Sequence, residues 1–377
     1  MLSKRNKVLI SLCLFAVLLE GLSYPVGKYL QSKGVFYDPQ EGKDYKGYIL
    51  KRDPILGWPS PATFGDGVRD KTGSRIIPAF PDEGDACVSL YGDSFTWSSE
   101  VDHAHAWSNL LSILMNCRVA NYGVEGYGTD QSYLRFRHNI HDKAKVVILG
   151  HLSENIQRNI NQFRGLMYHE DNYGLKPRFL INARGDLELI PMPTPSESQF
   201  IDIINNPEHH LQYDYFVPGG PLGTQKLSFP YTWSVLKALR HFHVKAEFLG
   251  KPWYSEFYSP EHPSNALGVT VGIIKEFHTD AVARGKQPVV LIIPTGIDLK
   301  YYQRKGVWVY QTLDDELNKI GIRSVNIGPE IMAYLGSRDP CLLFRNCSSH
   351  YNVEGYQVLA NLVFNHLKGL GINRKEL

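Results

Sequence analysis

The feature that most constrains this chain is an alternation that begins at Val88. An apolar run, Val88 to Tyr91, climbs into Gly92-Asp93-Ser94, and a helix-compatible segment follows from Trp107 to Met115. Arg118 to Tyr122 reads as a second strand, Thr129 to Ile140 as a second helix, and Lys145 to Gly150 as a third strand. That third run is almost purely apolar, as a strand buried on both faces of a parallel sheet must be. Strand, helix, strand, helix, strand is the cadence of a doubly wound sheet, whose ligands gather at the carboxyl edge of its strands. A serine at such a strand-to-helix corner presents its hydroxyl at that edge, with its own N–H free to donate. The same tripeptide also makes ordinary turns, so the rest of the edge has to decide.

From Arg164 to about Ser264 the cadence breaks. Lys176 to Ile181 and Leu187 to Ile190 form a hairpin pattern around Gly185-Asp186. Trp233 to Phe248 reads as one helix, whose His241 and His243 do not share a helical face. The cadence then resumes with a helix from Val269 to Arg284, a strand from Gln287 to Pro294, a helix from Val309 to Ile320, a short strand from Ser324 to Ile327, and a closing helix from Gly355 to Leu367. Residues 85–377 are therefore expected to form one α/β domain, a three-layer α/β/α sandwich with a central, mostly parallel sheet and an insertion at about 164–264. Residues 26–84, rich in Pro, Gly and Asp, read as an extended lead-in without a core of its own.

The N-terminus has the order of an export signal. Lys4, Arg5 and Lys7 precede an uncharged apolar run from Val8 to Leu19. That run is short of the roughly 20 residues of a full span, but Glu20 to Tyr24 can extend it into the interface. With no clean small-residue cleavage site, residues 1–25 are read as an uncleaved signal anchor, positive end in the cytoplasm and the bulk of the chain extracytoplasmic. The competing reading is a buried first helix. Of the five cysteines, Cys13 lies in the apolar run. Cys341 and Cys347 are the first choice for a disulfide, while Cys87 and Cys117 either pair or stay buried thiols. No Cys-x-x-Cys or compact Cys/His cluster offers a zinc site. A formal net charge of +2 without a basic stripe argues against nucleic acid as a partner.

Two further blocks fall at strand ends: Asn121-Tyr122-Gly123-Val124-Glu125-Gly126, continuing to Gly128, and Gly150 through Asn159. A fourth, Ser349-His350-Tyr351-Asn352-Val353-Glu354-Gly355, stands before the last helix. These four blocks, in this order, resemble the SGNH (GDSL) hydrolase superfamily over about Val88 to Asn159 and Gln287 to Leu367. The resemblance implies Ser94 as nucleophile, His350 as general base, and an oxyanion site made by the N–H groups of Ser94 and Gly126 with an asparagine side chain. Asn155 fills that last role, with Asn159 behind it, although the spacing after Gly150 departs from the family's block.

The fourth block departs more sharply. The family places an aspartate three residues before the histidine, and here that position is Cys347. Three options stay open: a Ser-His dyad oriented by a backbone carbonyl, a carboxylate from elsewhere such as Asp339, or a degraded site. His103 and His105 are competing bases, with exposed loop residues as the plainer reading. The resemblance implies an esterase or acyltransferase needing no cofactor or metal, acting on O-acyl groups, above all O-acetyl, of an extracytoplasmic glycan. Two other readings remain. One is a lipase or lysophospholipase with a cleft lined by Phe179, Leu180, Trp233 and Phe248. The other is a non-catalytic glycan-binding or polysaccharide-assembly component.

Overall fold

A computed structural model describes residues 3–39, 45–64, 67–82, 84–167, 174–220 and 225–372. Parts of the lead-in and of the excursion thus lie outside the described residues. The chain divides into two compact units, one of residues 1–47, 161–174 and 194–253, the other of residues 48–160, 175–193 and 254–377.

The larger unit is built on a five-stranded sheet. Its strands are β1 (Val88–Tyr91), β2 (Val119–Asn121), β3 (Val146–Leu152), β4 (Gln287–Ile293) and β5 (Ser324–Asn326). They lie in the order β2-β1-β3-β4-β5, and every pairing is parallel. Period-two alternation gives each strand two apolar faces. Val88, Leu90, Ile148, Leu291 and Ile293 join one core with Trp107, Leu111, Leu359 and Val363, from the helices Trp107–Met115 and Val353–Gly369. Tyr91 points the other way, its ring edge-on to Phe136, which meets Phe277 in turn. Those two phenylalanines come from the helices Thr129–His138 and Ala266–Ala283, which pack together. The result is a three-layer α/β/α sandwich. Its order reverses between β1 and β3, and a crevice opens at the carboxyl ends of strands at such a switch point.

Two helices were not legible in the sequence pattern. Gly296–Lys305 starts on a capping box in which Thr295 and Asp298 bond each other's backbone N–H. Gly328–Leu335 starts with Pro329 in its first turn. The hairpin forms as expected, Arg178–Ile181 against Leu187–Ile190. It belongs to the larger unit, however, because Phe179 meets Tyr133 and Leu187 and Ile181 crowd Gly272.

The smaller unit contains what was read as one helix over Trp233 to Phe248. It is two, Tyr231–Ala238 and Phe242–Leu249, with His241 capping the second by accepting from the His243 N–H at 3.4 Å. The two imidazoles stack with centroids 5.5 Å apart. Part of the lead-in is not coreless: Phe36–Tyr37 pairs in parallel with Gln225–Lys226, and Val35 and Phe36 bury against Ala238. The N-terminal helix runs from Lys4 to Ser32, through Pro25. Among the described residues it is the one helix long and apolar enough to cross a membrane. Disulfides join Cys87 to Cys117 and Cys341 to Cys347, and Cys13 is a free thiol.

His151 on β3 gives the larger unit an acid-sensitive point. Its Nδ1 lies 2.8 Å from Thr129 Oγ1 and its Nε2 3.1 Å from the Tyr258 hydroxyl, and burial pushes the ring down to about 3. An unfolded histidine titrates near about 6.5. Stability from the neutral ring is therefore complete above that value and is lost as the pH falls toward the folded value, by about 1.4 kcal/mol per pH unit at most. The urea midpoint of the detergent-solubilised chain should fall as the pH drops below about 6.5, and His151→Gln should flatten that decline. Equal slopes in the two proteins would show that His151 does not carry it.

Candidate active site

β1 ends at Tyr91 and the chain turns at once through Gly92. A side chain there is excluded, since a Cβ would lie 1.9 Å from Thr96 Oγ1. Asp93 caps the short helix Ser94–Trp97, its Oδ1 accepting from the Phe95 N–H at 2.9 Å. Ser94 is thereby the first helical residue, 7% exposed, and its N–H is one of the donors that a helix start leaves without an internal partner. Beyond the helix, Ser98 and Glu100 both adopt left-handed backbone, φ 68° and 69°. Such conformations persist only where surrounding contacts hold them. Arg75 supplies those contacts, donating to the carbonyls of Trp97 (2.5 Å), Ser98 (3.0 Å) and Val101 (2.8 Å).

The second block backs directly onto this corner. The Val124 N–H donates to Gly92 O at 3.0 Å, and Asn121 Nδ2 donates to Thr96 O at 2.7 Å. Gly123 passes so close that a Cβ would lie 2.6 Å from the Trp97 nitrogen. Gly126 sits at φ 82°, left-handed backbone that glycine adopts without strain.

Arg158 ties the third block to the first two. Its guanidinium donates to Tyr127 O at 3.1 Å, lies 3.4 Å from Asp93 Oδ2, and pairs with Glu154. Burial pushes the Asp93 carboxyl up, and the Arg158 charge and the Phe95 N–H oppose that push. Asn155 opens the Asn155–Arg158 helix on the same loop and is fully buried. Its amide faces Asp93 closely enough to favour the charged carboxyl, but neither amide atom has a partner with hydrogen-bond geometry. A buried amide left unpaired costs about 1–3 kcal/mol. Asn159 is already committed: its Nδ2 donates to Thr270 Oγ1 at 2.8 Å and its Oδ1 accepts from the Asp130 N–H at 3.2 Å.

His350 arrives from the loop before the last helix. Its ring packs on Phe95, the residue after Ser94, with centroids 5.0 Å apart, and it adds to the positive field on Asp93. Among the described residues the Ser94 hydroxyl makes no hydrogen bond, and such bonds in unliganded sites often tighten only with substrate.

A carboxylate from elsewhere in the chain does lie beside this imidazole, but it is not Asp339. Cys347 is in a disulfide with Cys341. Asp339 caps a short helix through the Cys341 N–H at 2.9 Å and faces Lys300 at 3.5 Å. The carboxylate paired with His350 is Glu100, its Oε1 3.4 Å from Nδ1, an ion-pair distance without hydrogen-bond geometry. Ser349, next to the histidine, grips both Glu100 oxygens, at 3.0 and 2.9 Å. Glu100 lies six residues after the nucleophile position, and no spacing in the sequence marks it. Only its place among the loop residues at the same sheet edge was a signal.

The competing bases are engaged elsewhere. His103 Nδ1 accepts from Arg75 Nε at 3.1 Å, and His105 is exposed and paired with Asp102 at 2.7 Å. The four residues suggested for an acyl-chain cleft are divided between the two units. Phe179 is buried against Tyr133 in the larger unit, whereas Trp233 and Phe248 belong to the smaller unit and are exposed.

No family model matches the sequence, and no curated protein matches it. Solved structures similar to this chain include a member of the lipolytic protein G-D-S-L family from Veillonella parvula, 12% identical, covering 74% of this chain and 97% of that one at a TM-score of 0.34. Another is a two-domain esterase active on acetylated mannans, 11% identical, covering 76% of this chain and 50% of that one at a TM-score of 0.35. A third is an α/β hydrolase enzyme from the metagenome of Lake Arreo, Spain, 14% identical, covering 76% and 95% at a TM-score of 0.38. The fold assignment rests on the chain's own strand order and layers.

The close approach at Gly123 is open to test. Gly123→Ala places a methyl against the Trp97 nitrogen and, at 3.0 Å, the Asp93 carbonyl. Neither backbone atom can yield cheaply, so the variant should lose about 1–3 kcal/mol of stability by urea unfolding. Wild-type stability in that variant would show that the loop does not brace the corner.

Proposed function

We propose that this chain is a serine esterase or acyltransferase of the SGNH type. The observation that supports it best is the grouping at one sheet edge of a helix-start serine, an imidazole with a carboxylate at its Nδ1, and a buried asparagine amide without a partner. In this reading Ser94 Oγ attacks an ester carbonyl while His350 Nε2 takes its proton. The oxyanion is held by the N–H groups of Ser94 and Gly126 and by Asn155 Nδ2. Collapse breaks the bond to the alkoxy oxygen, which leaves with the proton from His350, and an acyl-serine remains. Water or a sugar hydroxyl then gives its proton to His350 and takes the acyl group, restoring Ser94. Glu100 stabilises the imidazolium formed in each half-reaction.

The finer reading is that the acyl group is acetyl and the acceptor or donor an extracytoplasmic glycan. Its support is the family resemblance together with location. The N-terminal helix has Lys4, Arg5 and Lys7 at one end, which favours that end in the cytoplasm. Two disulfides suit an oxidising compartment for the rest.

A fluorophosphonate probe applied to the full chain in detergent should modify Ser94 and leave Ser94→Ala unlabelled. A folded chain without a Ser94 adduct would overturn the enzyme reading in favour of a glycan-binding component. On p-nitrophenyl acetate, Asn155→Ala should lower kcat by about 10²–10³. Glu100→Gln should lower it by about 10² or more, below the roughly 10⁴ of a triad acid because this carboxylate is partly solvated, while Asp339→Asn leaves it unchanged. Loss with Asp339→Asn and none with Glu100→Gln would reverse the assignment of the acid. Acetyl esters should be the best substrates, and rates that rise with acyl length would replace the glycan reading with a lipolytic one.

A further inference from the structure

The N-terminal helix poses a problem of length. A bilayer core of about 30 Å needs about 20 residues of helix, yet only the twelve from Val8 to Leu19 precede Glu20. The next charged residue is Lys28, and the twenty residues from Val8 to Gly27 carry Glu20 as their single charge. A full span therefore has to take Glu20 below the membrane surface.

The smaller unit provides for that. Glu20 Oε2 and Oε1 accept from the N–H groups of Tyr231 and Thr232, at 2.6 and 3.2 Å. The carboxylate thus sits at the start of the Tyr231–Ala238 helix, where backbone donors and the helix dipole favour negative charge. Around it Ser23 Oγ meets Thr232 Oγ1 at 2.9 Å, the rings of Tyr24 and Tyr231 lie 4.8 Å apart, and Gly27 lies against the Leu227 side chain. The two helices are packed as one piece, so whatever depth Glu20 reaches, the start of Tyr231–Ala238 reaches with it.

That second helix is dressed for lipid. Ser234 and Ala238 face inward, whereas Trp233 is 58% exposed, Leu236 50%, Leu239 52%, and Phe229 just before the helix 71%. Four large apolar side chains on one short segment, beside Lys237 and Arg240, make the pattern of an interfacial helix that buries Trp and Leu and offers cations to lipid headgroups. Leu22, Tyr24 and Val26 on the first helix are exposed as well, so the apolar surface is continuous with the span.

We infer that the segment from Phe229 to Leu239 is a second membrane-embedded element, seated in the outer leaflet of the bilayer that the N-terminal helix crosses. Its partner is the phospholipid surface. The inference rests on reading that helix as a membrane anchor, and the test separates the two.

In a Cys13→Ser background, single spin labels are placed at Phe15→Cys, Leu236→Cys, Leu239→Cys and Ile140→Cys. The full chain is then reconstituted in vesicles of mixed zwitterionic and anionic phospholipid. Ile140, 85% exposed on the larger unit, is the aqueous reference. Collision with oxygen relative to a water-soluble nickel chelate should be several-fold higher at 15, 236 and 239 than at 140. A lipid signature at 15 with water-like values at both 236 and 239 overturns the inference and leaves the anchor standing. Water-like values at 15 overturn the anchor and the inference with it.

Discussion

A buried carboxylate, Asp93, directly behind Ser94 is the interaction on which the strand-end corner depends. Asp93 caps the helix that begins at Ser94, and Arg158 reaches it from the loop after β3 while bonding the carbonyl of Tyr127 from the loop after β2. Three loops from three strands thus converge on one charge pair. Charge buried this way is costly unless paired and hydrogen-bonded, and breaking such a pair by removing one partner costs about 3–5 kcal/mol. The expense is tolerable because the pair sits where β1 and β3 diverge, the one place in a 2-1-3-4-5 sheet where loops can gather from both sides.

The carboxylate beside His350 does not come from the position that the family resemblance marks. The position three residues before the histidine is closed by the Cys341–Cys347 bridge, which fixes the loop covalently instead of electrostatically. The carboxylate comes instead from Glu100, on the far side of the Ser94 helix. Its left-handed backbone is set by Arg75 gripping the carbonyls on either side, and Ser349 holds both oxygens. Glu100 and His350 are therefore linked through Ser349 as well. Glu100 is also more exposed than a triad aspartate buried behind its histidine, with 32% of its side chain open to solvent. Water competes for such a carboxylate, which weakens its hold on an imidazolium.

The sheet was legible because burial on both faces writes itself as predominantly apolar runs, and Val88–Tyr91, Val146–Leu152 and Gln287–Ile293 carry that mark. The corner at Ser94 was legible only with the other strand-end blocks, since Gly-Asp-Ser by itself also makes ordinary turns. Glu100 was not, since its role depends on a loop path dictated by Arg75, a residue distant in sequence. The single helix expected over Trp233 to Phe248 was a failure of another kind. Periodicity continued through Leu239 to His241, but His241 could satisfy the His243 N–H and start a new helix, a local side-chain bond that no apolar pattern records. The membership of residues 26–47 in the smaller unit was hidden because a two-residue strand pairs with one almost 190 positions away.

Glu20 is the residue where the sequence pattern and the packing bear most directly on each other. By hydropathy alone it ends the apolar run after twelve residues, short of the roughly 20 of a full span. In the fold it is a cap, supplying two acceptors to a helix start that would otherwise leave its donors bare. A charge that looks like the end of a membrane segment is thereby neutralised by the protein's own backbone dipoles. The same contact prevents the Tyr231–Ala238 helix from turning its Trp233 and Leu236 face inward, because Ser234 and Ala238 already occupy that side. One carboxylate therefore joins the apolar helix to the start of its neighbour, whose Trp233 and Leu236 stay exposed.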